Sequence, residues 1–171
     1  MKRFAGGPGP SSSNKFIGCV GKCTSGISIS ELDRITDHVQ HALDSTKGRS
    51  IFKRYLEQGR RRTDLACLQL YEQICEYIDN DERNRIMQKD PSVESLACDV
   101  NLVLSAAEDL DDVTEIDLAL LERYTEALDK GSREAMLDVL HDTKVRIVGS
   151  LVQAHKGFRT YVRQPCPETK A

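Results

Sequence analysis

Leu65, Leu68, Tyr71, Cys75 and Ile78 recur three or four residues apart, and Cys67, Leu70, Ile74 and Tyr77 line the face beside them. Residues at that spacing share one side of an α-helix. A helix that is apolar over two adjoining faces needs neighbours on more than one side. This segment therefore predicts the central helix of an all-α fold. No segment of useful length alternates with period two, no Asn-Gly hairpin dipeptide occurs, and there is no internal repeat.

The flanking segments carry further helix signals. Ser28 and Glu31 have the S-x-x-E spacing of a capping box. Leu32, Ile35, Val39 and Leu43 follow as one apolar stripe, predicting a first helix that Lys47-Gly48 closes, with the glycine in the left-handed conformation. Ile51, Phe52, Tyr55 and Leu56 predict a short second helix, broken by Gly59 and three arginines. Thr63 or Asp64 can cap the central helix. Asp90-Pro91 predicts the next start, with Asp as cap and Pro first in the helix. Val93, Leu96, Val100, Val103 and Ala107 then point inward. After the acidic connector Glu108 to Asp112, Ile116, Leu120, Leu121, Tyr124 and Leu128 predict a helix that Gly131 ends. Ser132 to about Gln153 predicts a last long helix, with Met136, Leu140, Ile147, Leu151 and Val152 inward. Gly149 lies inside it, where glycine costs about 1 kcal/mol relative to alanine, and so marks a kink or a close helix crossing. Phe158, Tyr161 and Val162 form a terminal segment that packs back. The expectation is six to eight helices.

A chain of 171 residues is one domain of ordinary size, able to bury a core without metal or disulfide staples. Residues 1–26 are rich in Gly, Ser and Pro and read as a flexible tail. The helical domain spans 27–164, and 165–171 is a short C-terminal tail. A net charge of −3 gives no global field toward nucleic acid or membrane. The start MKRFAGGPGPSSS is basic but lacks a following apolar run, so no signal peptide is expected. The six cysteines are scattered rather than framed, and Cys67, Cys75 and Cys98 lie in helical apolar patterns, where cysteine acts as a small hydrophobe. A reduced, cytoplasmic setting follows. No phosphate loop, Gly-x-Ser-x-Gly or His-Glu-x-x-His occurs, so neither an enzyme nor a cofactor is expected.

Gly48, Phe52, Tyr55 and Leu56, followed by Leu65 and Glu72, resemble the opening box of a regulator of G-protein signalling (RGS) homology domain. There a Gly-x-x-x-Phe-x-x-aromatic-Leu helix leads into an Asn-Leu-x-Phe-Trp-x-x-Cys-Glu helix. Phe158-Arg159-Thr160-Tyr161-Val162 is similar to the closing Tyr-x-Arg-Phe-Leu segment. The run Leu-Tyr-Glu-Gln-Ile-Cys-Glu-Tyr, beginning at Leu70, looks more like the homology regions that precede receptor kinases. The likeness covers about 48–79 and 142–163. It implies a four-helix bundle plus a smaller subdomain of terminal helices.

The resemblance also implies a mode of action. RGS domains accelerate GTP hydrolysis by holding the switch segments of a G-protein alpha subunit near their transition-state shape, while the catalytic Gln and Arg stay on that partner. The candidate partner-binding residues are Arg60, Arg61, Arg62, Asp64, Lys156 and Arg159. Several positions depart from the family. Its Phe-Trp pair falls on Cys67 and Leu68, and the chain has no Trp. Its interfacial Asn is Asp64, which cannot donate an amide N–H. Its Asp-Ser-x-x-Arg contact loop reads Lys156-Gly157-Phe158-Arg159-Thr160, which loses the acid and puts Thr160 at the Arg position. Each loss at a desolvated contact costs on the order of 1–3 kcal/mol, which weighs against GTPase activation.

Other constellations have simpler readings. Cys19, Cys23, His38 and His41 brush against a zinc pattern, but His-x2-His is tighter than the usual spacing, and no metal is expected. Cys19 and Cys23, near Lys15 and Lys22, are candidates for lipidation, a use some RGS proteins make of tail cysteines. Arg49, Lys53, Arg54 and Arg60 to Arg62 form a basic cluster that could meet an acidic partner, anionic lipid or, less readily, nucleic acid. The acids from Glu108 to Asp117 lack EF-hand spacing and read as a charged loop with favourable acids at a helix start. The expectation is an RGS-like module binding signalling proteins. The alternative is a helical adaptor, with no G-protein link, docking through the arginine-rich turn. The basic cluster is also compatible with peripheral membrane contact.

Overall fold

A computed structural model describes residues 27–87 and 92–164. The described residues form eight helices and no strand: α1 Ile29–Asp37, α2 Val39–Asp44, α3 Thr46–Gln58, α4 Arg62–Met87, α5 Val93–Glu108, α6 Leu118–Lys130, α7 Arg133–Ser150 and α8 Val152–Arg163. The chain divides into two units, 1–62 with 153–171, and 63–152. The first holds α1 to α3 and α8, and the second holds α4 to α7.

In the first unit, the single helix expected over Ser28 to Lys47 is three pieces. Ser28 caps α1 by accepting the Glu31 N–H at 3.2 Å. His38 then turns extended, and its Nδ1 accepts the Gln40 N–H to start α2. Ser45 does the same for α3, accepting the Gly48 N–H at 3.1 Å. The stripe survives these breaks, since Ile35, Val39 and Leu43 are all buried. What the periodicity could not show is that two residues with hydrogen-bonding side chains restart the helix within it. Gly48 closes nothing. It lies buried inside α3, and a Cβ there would sit 2.6 Å from the carbonyl oxygen of Ala42 in α2. Glycine is required for backbone approach, not for a left-handed cap.

The core of this unit is aromatic. Phe52 and Tyr55 of α3 meet Phe158 of α8 at ring distances of 5.1 and 5.5 Å, and Tyr55 also meets Tyr161 at 5.8 Å. Phe158, Tyr161 and Val162 are buried on α8, as the terminal segment was expected to be. His155 stands edge-on to Phe52, and its Nε2 donates to the Ile35 carbonyl at 2.9 Å. That carbonyl lies in the last turn of α1, where helix acceptors lack intrahelical partners. Burial pushes the His155 pKa down, with His38 and Arg159 pushing the same way. The unfolded chain, near the ordinary value of about 6.5, therefore takes up the proton first as pH falls. Stability from this group is complete above that value and declines below it. Melting temperatures between about pH 7.5 and 5.5 should fall on acidification, and His155→Gln, which keeps a donor, should flatten the slope. An equal slope in both proteins would reject this assignment.

In the second unit, α4 buries Cys67, Leu68, Leu70, Tyr71 and Ile74, with Leu65, Cys75, Tyr77 and Ile78 half-buried beside them. The doubled apolar face is thus real. Cys98, expected among apolar neighbours, is exposed on α5 instead. The expected start at Asp90-Pro91 lies outside the described residues, and the cap of α5 is Ser92, which accepts the Glu94 N–H. Ile116 is not helical. It ends a connector in which Leu110, Val113 and Ile116 are buried at three-residue steps, each N–H bonded three residues back. Asp117 caps α6 by accepting the Leu120 N–H, which holds its carboxyl below the usual range. Gly131 ends α6 as expected, and it does so in the left-handed conformation, at φ 61. Helix α7 starts after Ser132 but stops at Ser150, and Val152 opens α8 rather than extending α7. Gly149 is exposed with nothing near its Cβ position, so it makes no close helix crossing.

Ion pairs and a buried hydroxyl pair join these helices. Arg146 of α7 bonds Asp142, Asp117 and the Glu115 carbonyl, and Arg123 of α6 also reaches Asp142. Arg133, at the start of α7, bonds the buried Asp81 of α4. Thr143 donates to the Val139 carbonyl, so the Tyr124 hydroxyl 2.5 Å away is the donor of their pair. Burial pushes that phenol up to about 12.

Candidate docking site

The arginine-rich turn grows out of the end of α3. Gly59 keeps right-handed geometry, and the residue that turns left-handed is Arg60, at φ 56. The Arg60 N–H bonds the Glu57 carbonyl at 3.1 Å and the Arg61 N–H bonds the Leu56 carbonyl at 3.0 Å. These two bonds close the helix in a Schellman arrangement. A side chain in that conformation costs about 1–2 kcal/mol, a cost glycine escapes. Arg60→Gly should therefore raise stability by about 1 kcal/mol in denaturant titration. If the turn docks a partner, the same change should weaken capture, separating a binding role from a structural one. A stability loss would count against the strain.

The side chains of this turn diverge. Arg60 and Arg62 are exposed, Arg62 being the first residue of α4. Arg61 is half-buried and lies against α8: its Nη1 is 4.0 Å from where a Cβ on Gly157 would stand, and Tyr55 Oη is 2.6 Å from it. Lys156 is exposed on α8, beside that glycine. Arg159 is half-buried, and its Nε is enclosed without a hydrogen-bond partner. Arg61 and the two expected α8 cations thus belong to one neighbourhood of the first unit. A lone glycine in an amphipathic helix signals close approach, but the sequence did not say to which residue.

Asp64 belongs to the second unit. It is half-buried in the first turn of α4, where a carboxylate is favoured by the helix dipole. Thr63 is no cap, since its hydroxyl donates to Asp112 of the acidic connector at 2.9 Å. Burial raises the pKa of the Cys67 thiol, Ser150 bonds it, and the charges of Asp64, Asp112 and Glu115 push it further up. The N-terminus of α4, the connector and the C-terminus of α7 therefore converge at one end of the bundle. Thr63, Asp112, Glu115 and Ser150 were not expected there, because connector geometry leaves no mark in helical periodicity.

His38 and His41 have their rings 5.8 Å apart, and each bonds backbone, the first to the Gln40 N–H and the second to the Arg34 carbonyl. No group of side chains suited to a metal ion occurs among the described residues. Cys19 and Cys23 lie outside them. Comparison of the chain with protein-family models, with curated proteins and with solved structures finds no match.

Proposed function

We propose that this chain is an RGS-like interaction module that binds a signalling protein, a G-protein alpha subunit in the first instance, and acts on that partner rather than on a substrate of its own. The observation that supports this reading best is the division of the chain. Helices α1 to α3 group with α8, and α4 to α7 form a separate bundle of four, which is the arrangement the resemblance implies. Gly48 adds to it as the position in the box where only glycine fits. Under this reading Asp64 and the adjoining connector meet the switch segments, with Arg60, Arg61, Lys156 and Arg159 as further contacts. The changed Asn and contact-loop positions make binding the expected activity ahead of GTPase activation.

The test is capture of a panel of alpha subunits in their GDP, GTP-analogue and transition-state-analogue forms, followed by single-turnover GTP hydrolysis. Binding to at least one form, lost in Asp64→Lys, is the expected result. No capture of any form at high protein excess would sink the G-protein reading. The adaptor reading then stands on the exposed Arg60 and Arg62. It predicts that reversing the exposed Arg60 and Arg62 to Glu abolishes partner recovery without lowering the melting temperature.

A further inference from the structure

Charge is divided between the two units far more sharply than the net −3 implies. Residues 1–62 and 153–171 hold 16 Lys and Arg against 6 Asp and Glu, a formal +10. Residues 63–152 hold 8 against 21, a formal −13. The positive charge is concentrated further on α3 and α8. Residues 45–62 and 153–164 carry ten Lys and Arg and a single acid, Glu57.

These two helices lie side by side through Phe52, Tyr55, Phe158 and Tyr161, so their cations share one region of the unit. Lys47 and Arg54 are on the exposed side of α3, and Lys156 and Arg163 on that of α8. Arg60 and Arg62 extend the array past the end of α3. The aromatic side chains of both helices are buried, with Tyr55 5% and Tyr161 7% exposed, so no ring is free to stack on a nucleobase. What remains is a spread of exposed cations, Lys47, Arg54, Arg60, Arg62, Lys156 and Arg163, suited to an extended anionic surface.

We infer that the α3 and α8 face docks on a bilayer containing anionic phospholipid. Each Lys or Arg brought to such a surface gains about fivefold in partitioning. The same surface repels the acidic unit, so contact is confined to α3, α8 and the turn. No helix among the described residues is long and apolar enough to cross a membrane, so the contact is peripheral. This docking needs no G-protein contact.

The test uses the full chain and sedimentation with vesicles of phosphatidylcholine alone or mixed with phosphatidylserine, at low and high salt. Binding only to the mixed vesicles, lost at high salt, is expected. Lys47→Glu, Arg54→Glu and Arg163→Glu together change three exposed residues of this face that are not among the candidate G-protein contacts, and should lower partitioning at least about a hundredfold. Hydrogen exchange on the unaltered protein gives a second readout, with protection by mixed vesicles expected over 45–62 and 153–164. Equal partitioning to both vesicle types, binding indifferent to the three reversals, or protection confined to 63–152 would each overturn the inference. So would tighter capture by single- or double-stranded nucleic acid, or by a polyglutamate peptide, than by the mixed vesicles.

Discussion

Asp81→Asn is expected to lower stability by about 3–5 kcal/mol, the usual loss when one partner of a buried ion pair is removed. Asp81 is 8% exposed, and the Arg133 side chain it bonds is 17% exposed. Arg133 is the first residue of α7, the end of a helix that disfavours a cation, so it leans on Asp81 more than an exposed arginine would. For a chain of this size the melting temperature should fall by about 10 °C. Replacing both partners, Asp81→Leu with Arg133→Met, should recover most of the loss, because no uncompensated charge stays buried. A nearby carboxyl supplies an independent readout. Burial, Asp81 and Glu76 together hold the Asp99 pKa above the ordinary range, and removing Asp81 should let it fall in an NMR titration. A stability loss under about 1 kcal/mol would mean the pair is solvated in solution.

Gly48→Ala is the second large effect, and it opposes intrinsic propensity. Alanine gains about 1 kcal/mol over glycine inside a helix. The new Cβ, however, would stand 2.6 Å from the Ala42 carbonyl oxygen and 3.1 Å from its Cα, both backbone atoms that cannot swing aside. Overpacking of this kind costs about 1–3 kcal/mol, so the net change should be destabilising, and more so for Gly48→Val. Gly149→Ala is the control, since nothing lies within 4 Å of its Cβ position. That variant should gain about 1 kcal/mol. If both alanines stabilise the protein in denaturant titration, α2 and α3 are not in contact at Gly48.

These two glycines mark where reading the sequence works and where it stops. Periodicity identified the buried stripes, because burial follows spacing whatever the chain does between: Ile35, Val39 and Leu43 share a core although two helix breaks separate them. It joined α1 to α2 because His38 is a rare cap, and it placed Ile116 in a helix because a three-residue step looks helical over a short stretch. It gave Gly48 the role glycine most often takes at a helix end. The close approach of Ala42 depends on two helices folding back on each other, which no local pattern records. The candidate site divides the same way. The arginines stood out by their clustering and Asp64 by the resemblance, whereas the bond from Thr63 to Asp112 joins residues 49 positions apart.

The bond from His155 to Ile35 closes a span of 120 residues. The bundle, by contrast, is one uninterrupted stretch, 63–152. During synthesis, α4 to α7 all emerge before any residue of α8 beyond Val152 exists. The bundle can therefore fold while α1 to α3 wait with an unfilled core, lacking Phe158 and the donor that caps α1. A chain halted at Val152 should hold a protease-resistant bundle and a cleavable N-terminal third, and extension to Arg163 should protect both. Helix α8 thus acts as a completion check, and until it docks, the most basic part of the chain is also its least finished.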